Sequence, residues 1–161
     1  MSGSAASILT VVLLAGSGVV AGVFYAFSTF IMPALARLPD DEGARAMQTI
    51  NVTVLTPLFL GPFMATGIAG TVVIVLSVLD WQGTASAWRM AASLLYLLGV
   101  LGVTIVFNVP WNEHLAGLDA LRAETATEWH RYLAEWTRWN TVRTVAGIAA
   151  MLACAAAIAA D

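Results

Sequence analysis

Four stretches of the chain stay apolar for long enough to cross a hydrocarbon core as helix, which takes about 20 residues. They run over 8–32, 52–79, 88–109 and 140–160. Longer polar connections, 37–51 and 110–139, follow the first and third stretches, whereas the short 80–87 joins the second to the third. The pattern predicts an all-α, integral membrane four-helix bundle, a single membrane domain over 1–161, with an amphipathic cap between spans three and four. The first stretch carries no charge before Arg37 and is too long for the apolar core of a secretory leader, so it is expected to be retained as a span.

Prolines and glycines refine the pattern. Pro33 and Pro110 are expected to stop spans one and three, because proline lacks a backbone donor and biases its predecessor away from helix. Pro57 and Pro62, in "LTPLFLGPF", are expected to kink the second span, with the freed carbonyls satisfied by protein or a wet cavity. Gly18 with Gly22, and Gly99 with Gly102, give spans one and three small-residue faces for close helix contact, which also leaves a homo-oligomer open. No internal repeat points to an inverted-repeat transporter.

The stretch "EWHRYLAEWTRWNTVRT", Glu128 to Thr144, resolves into two faces at 100° per residue. Glu128, Arg131, Glu135 and Arg138 share one face at spacings suited to ion pairs. Trp129, Leu133, Trp136, Asn140, Arg143 and Gly147 share the other, which runs without a break into the last apolar stretch. One helix from about Thr127 to Ala160 is therefore expected, with Asn140 and Arg143 facing inward. An inward arginine at a membrane edge is costly unless partnered, which makes it a functional candidate. Snorkelling by Arg143 and an aromatic belt of Trp129, Trp136 and Trp139 are the structural alternatives.

Composition agrees with the pattern: 60% of residues are hydrophobic and 11% charged, and the mean hydropathy is +0.83. The lipid bilayer is the expected partner. Seven arginines, no lysine and ten acids give a net charge of −3, with no basic run to attract nucleic acid. Six of the seven arginines, all but Arg89, lie in or beside the two long connections. The positive-inside bias then predicts a multi-pass protein of the cell membrane with the long connections cytoplasmic and both termini outside. Cys154 is the only cysteine, so neither a disulfide within the chain nor a CxxC redox pair can form.

The polar groups gather at one end. All four asparagines are there, Asn51, Asn108, Asn112 and Asn140, as are both histidines, His114 and His130. Span one reaches the same end as "FYAFSTF", bringing Tyr25, Phe27, Ser28 and Thr29. Every span thus offers aromatic and hydrogen-bonding groups at one level, the arrangement expected of a pocket between bundle helices for a small aromatic or apolar ligand. The histidines lack metal-ligand spacing, and neither a Ser-His-Asp signature nor a phosphate loop is present, so no metal and no cofactor is expected.

Four segments, "GVFYAFSTFIMPALARLP", "MQTINVTVLTPLFL", "FNVPWNEHLAGLD" and "WHRYLAEWTRWNTVRT", together resemble the anthrone oxygenase family. These are small four-helix membrane proteins, some fungal members of which oxidise anthrones to anthraquinones in polyketide pathways. The resemblance implies removal of a benzylic proton from a fused phenolic ketone, followed by attack of the resulting carbanion on O₂. On that chemistry His130 or His114 is the candidate base, and Arg143, Asn140 and Asn108 are the candidate oxyanion donors. Trp136, Trp139 and Phe27 are candidate ring-stacking walls, with Asn51, Asn112, Tyr25 and Ser28 completing the binding site. Two other classes use the same residues: a non-catalytic membrane module that binds a quinone, lipid or other small apolar ligand, and a subunit of a membrane complex.

Overall fold

The computed structural model, which describes residues 2–119 and 123–161, is an all-α membrane bundle with no strand among the described residues. Four helices are long and apolar enough to cross a membrane. They are span one (Ala5–Leu35), span two (Pro57–Leu79), span three (Thr84–Ala116) and span four (Thr125–Ala159). Each packs against the next around a ring that closes between four and one. Arg122, one of the arginines behind the charge bias, lies outside the described residues.

Pro33 and Pro110 do not stop their helices. Span one continues through Pro33 to Leu35, and span three through Pro110 to Ala116. Just before each proline the helix winds wide, as a π-turn over Phe27–Ile31 and another over Thr104–Asn108. Met32 donates to the Phe27 carbonyl and Val109 to that of Thr104, so the residue preceding each proline bonds five positions back. The widened turn carries the ring clear of the carbonyl it would otherwise strike and absorbs the missing donor, which is how the helix survives.

Pro57 begins span two rather than kinking it. Thr56 is extended (φ −100°, ψ 154°), as the residue before a proline prefers, and the ring takes the first helical turn, where no N–H is needed. The residues before it form a separate cap helix, Asp40–Thr53, so Val52 and Thr53 belong to the cap and not to the span. Only Pro62 lies inside span two, where the Thr66 hydroxyl donates to its carbonyl at 2.7 Å. Three acids, Asp40, Asp41 and Glu42, sit at the positive end of the cap helix, and Arg45 pairs with Asp41 one turn on.

The cap is built from three pieces: this helix, the end of span three, and the first turns of span four. Met32, Leu35, Met47, Leu115, Trp129 and Tyr132 are buried together beneath it. Gln48 fastens it by donating to the carbonyls of Leu115 (2.8 Å) and Leu118 (3.0 Å). Gly43 is required for the fit, since a Cβ there would stand 2.9 Å from the Leu35 carbonyl oxygen and 3.0 Å from the Trp129 ring.

Span four belongs to a single α-helix, Ala123–Ala159, of 37 residues, about 55 Å at 1.5 Å per residue. Trp129, Trp136, Asn140 and Arg143 are buried along its inner face, as the 100° spacing requires. Below Arg143 small residues bring spans together: a Cβ at Gly147 would lie 2.9 Å from that of Ala21 in span one. A leucine at Gly147 is therefore expected to force spans one and four apart and to cost about 1–3 kcal/mol. Thermal unfolding in detergent measures it, and an unchanged midpoint would contradict the close approach. At the far end the buried Arg89 joins Gln82 (2.9 Å), Ser7 (3.3 Å) and Asp161, tying both chain ends to span three.

Candidate functional site

Arg143 is only 4% exposed, and among the described residues no carboxylate lies within ion-pair distance of it. Its Nη2 donates to Asn140 Oδ1 at 2.7 Å and its Nη1 to Thr104 Oγ1 at 3.2 Å, while Nε has no partner. The guanidinium lies 4.1 Å from the centre of the Phe24 ring and 5.3 Å from that of Trp136. Ring faces attract a cation, but they do not neutralise it. A buried charge without a counter-charge is expensive, and an anion arriving beside it recovers that cost.

Arg143 borders a cavity of about 340 Å³ at the cap end of the bundle, within the range of about 300–1,000 Å³ typical of small-molecule sites. Phe24, Phe27, Phe59, Phe63 and Trp136 supply aromatic walls. Phe59 and Phe63, one turn apart at the start of span two, stack at 5.7 Å and meet Phe24 edge-on. Among the described residues Asn51, Thr104, Asn112 and Arg143 are the polar residues of the lining, and Trp136 adds an indole N–H that has no hydrogen-bond partner. The space suits a flat apolar molecule with one or two oxygens.

Asn51 and Asn112 are held by Tyr132. The phenol donates to Asn112 Oδ1 at 2.9 Å and accepts from Asn51 Nδ2 at 3.3 Å, which links cap helix, span three and span four. Tyr132 is itself stacked between Trp129 and Trp136, with ring centres 5.7 and 6.0 Å away. That ladder fixes the Trp136 ring that faces Arg143.

The structure brings together five of the residues singled out by sequence: Phe27, Asn51, Asn112, Trp136 and Arg143 all line the cavity. Asn140, Asn108 and Ser28 stand behind the wall. Asn140 donates to the Phe24 carbonyl and to Ser28 Oγ, both at 2.7 Å, so its amide is fully engaged in bracing spans one and four around Arg143. Asn108 donates to the Trp136 carbonyl at 3.1 Å, while its Oδ1 has no hydrogen-bond partner. Neither asparagine is among the residues lining the cavity, so of the three candidate donors Arg143 alone borders it.

Four residues lie outside. Trp139 faces away, stacked on Phe107 at 3.5 Å, and Tyr25 is exposed on the outer surface of span one. His130 is exposed and 3.3 Å from Asp40 of the cap helix. His114 pairs with Glu128 at 2.8 Å beside a shallow outer groove formed with Phe107, Trp111 and Arg131. Both histidines thus sit on outward flanks, one or two helical steps from residues that point in, and neither reaches a molecule in the cavity. Phe24 entered the sequence reading only as part of "FYAFSTF", and Phe59, Phe63 and Thr104 were not singled out; the pair Phe59 and Phe63 at i, i+4 was the available signal.

No curated protein and no solved structure matches the chain. The anthrone oxygenase family model does, over residues 55–153, more than half of the chain and the part that carries Phe59, Phe63, Thr104, Trp136 and Arg143. By that match the chain is a member of the anthrone oxygenase family.

Proposed function

We propose that the protein oxidises a fused phenolic ketone of the anthrone type to the corresponding quinone with O₂, using Arg143 to hold the substrate as its enolate. The observation that carries this is the buried Arg143 guanidinium, without a carboxylate partner among the described residues, set between Phe24 and Trp136 on the wall of an aromatic cavity. A cation within about 4–6 Å of an acidic group lowers its pKa by about 1–3 units. Arg143 therefore favours loss of the ring CH₂ proton; the cavity lining holds neither histidine nor carboxylate among the described residues, so a water molecule enclosed with the substrate takes the proton and returns it to the peroxide formed next. Negative charge collects on the ketone oxygen beside the guanidinium, where a fixed donor is most effective.

The enolate carbon then forms a bond to O₂, which is reduced to a peroxide and takes up a proton. Loss of the remaining C–H proton with cleavage of the O–O bond expels hydroxide and leaves the second ketone. Anthrone and O₂ are consumed, and anthraquinone and water are formed. The protein's part is to bind, flatten and ionise the substrate; Asn51 and Asn112 are set to contact its second oxygen function. The arginine bias supports a multi-pass arrangement in the cell membrane with the cap on the cytoplasmic side.

The test is oxygen uptake with quinone absorbance on adding 1,8-dihydroxyanthrone to the purified protein in detergent, with chelator present. Uptake above the spontaneous rate, with one quinone formed per O₂, is the expected result. Binding without turnover would leave a membrane module for a quinone or phenol in place of the oxygenase.

A further inference from the structure

We propose that the ligand reaches the cavity from within the bilayer, as a neutral molecule, through a lateral portal between spans two and three. This rests on the reading of the cavity as the binding site. Among the large apolar residues lining the cavity, the exposed ones come only from the chain around span two and from span three: Leu55 (64%) and Met64 (51%) on one side, Ile105 (67%) and Val109 (38%) on the other. Lining residues from spans one and four are buried or half-buried. All four rim residues are apolar, and Met64, Ile105 and Val109 lie on spans two and three, whose outer faces meet lipid in a bilayer, the setting in which such residues need no polar neighbours.

The end of the cavity is shut where the side is open. Met47 and Ile50 of the cap helix close over it, Gln48 clamps that helix to the Leu115 and Leu118 carbonyls, and Asn51 bonds to Tyr132. Spans two and three are fastened deeper in the bundle, where Gly67 meets Leu97 and Leu101, Gly70 meets Ser93, and Tyr96 donates to the Phe63 carbonyl at 2.9 Å. Above that clasp the wide turn over Thr104–Asn108 puts Thr104 against Arg143 and Ile105 on the rim. An ionised ligand would be costly to carry through hydrocarbon, so the neutral form enters and becomes an anion only beside Arg143.

The experiment follows Trp quenching by 1-hydroxyanthraquinone in proteoliposomes of the full chain, mixed in a stopped flow. Ile105→Trp and, separately, Met64→Trp are expected to slow association and dissociation together by about tenfold, as a narrowed doorway does. Gln48→Ala, which loosens the cap, is expected to leave both rates as in the wild type. Wild-type rates in both tryptophan variants, or faster association in Gln48→Ala, would overturn the portal. Failure of the site itself is seen separately, as a wild type that does not bind the probe or an Arg143→Gln variant that binds it equally well, and it would overturn the portal with it.

Discussion

Replacing Arg143 with methionine is expected to lower kcat/KM for 1,8-dihydroxyanthrone by about 10²–10³, the usual loss when one oxyanion donor is removed, without lowering stability. The second half follows from the same burial as the first. Arg143 holds its charge among Phe24, Trp136 and two neutral hydrogen-bond acceptors, with no carboxylate within ion-pair distance among the described residues. Removing an uncompensated buried charge removes its desolvation cost, which offsets the bond lost at Asn140 Oδ1, and replacing buried charged groups by packed apolar side chains is often neutral or stabilising. Activity lost at unchanged or raised thermal midpoint is the signature of a residue kept for its chemistry. A variant that unfolds early yet turns over normally would make Arg143 a brace, and the enolate account would fall.

Asn140→Ala should give the opposite profile. Asn140 makes three bonds of 2.7 Å, to the Phe24 carbonyl, to Ser28 Oγ and from Arg143, and is fully buried. Its removal deletes two polar contacts between spans one and four, leaving the hydroxyl contact of Ser28 with Thr141 (3.0 Å), and leaves Thr104 as the remaining side-chain hydrogen-bond partner of Arg143 among the described residues. The expected cost is about 2–4 kcal/mol, since each buried hydrogen bond contributes about 1 kcal/mol and a stranded partner adds its own desolvation penalty. Turnover should fall by about tenfold, because the guanidinium loses its anchor but not its charge. In the double variant with Arg143→Met the two effects on turnover should not add, as for residues that act as one unit. Denaturant unfolding in detergent and steady-state oxygen uptake read the two quantities; full additivity would separate Asn140 from the site.

Much of this arrangement is written in the hydrophobic pattern. The four apolar stretches gave the spans because a bilayer permits few alternatives to a helix of about 20 residues. The two-faced segment from Glu128 to Thr144 put Trp136, Asn140 and Arg143 on the buried side, since a 100° step is insensitive to tertiary detail. The prolines were misleading for a local reason. A π-turn placed one residue ahead of Pro33 and of Pro110 keeps each helix running, and no residue type announces such a turn. Pro57 could have been recognised as a start, because "LTP" puts a potential capping threonine before proline, but the apolar run across it hid the boundary between cap helix and span two.

The site was legible by level and not by direction. Gathering at one end of the bundle is common to Asn112, which lines the cavity, and to His114, which turns outward to Glu128 two residues later. His130 differs from the buried Trp129 by a single step of 100° around the helix, which places it on the exposed flank, 3.3 Å from Asp40. The aromatic walls on span two were illegible for another reason. Phe59 and Phe63 in a membrane helix look the same whether they face lipid or a cavity, and only the approach of Phe24 decides it.

The most direct test of the central claim is the ionisation state of a bound phenol. Titrating the visible absorbance of 1-hydroxyanthraquinone bound to the protein in detergent, beside the same titration of Arg143→Met, reads the field at the site without needing turnover. The anion spectrum is expected about 1–3 pH units lower in the wild type than for the probe in protein-free detergent, and the methionine variant is expected to abolish the shift. A bound probe that titrates as it does in plain detergent, or one whose shift survives in Arg143→Met, would contradict it.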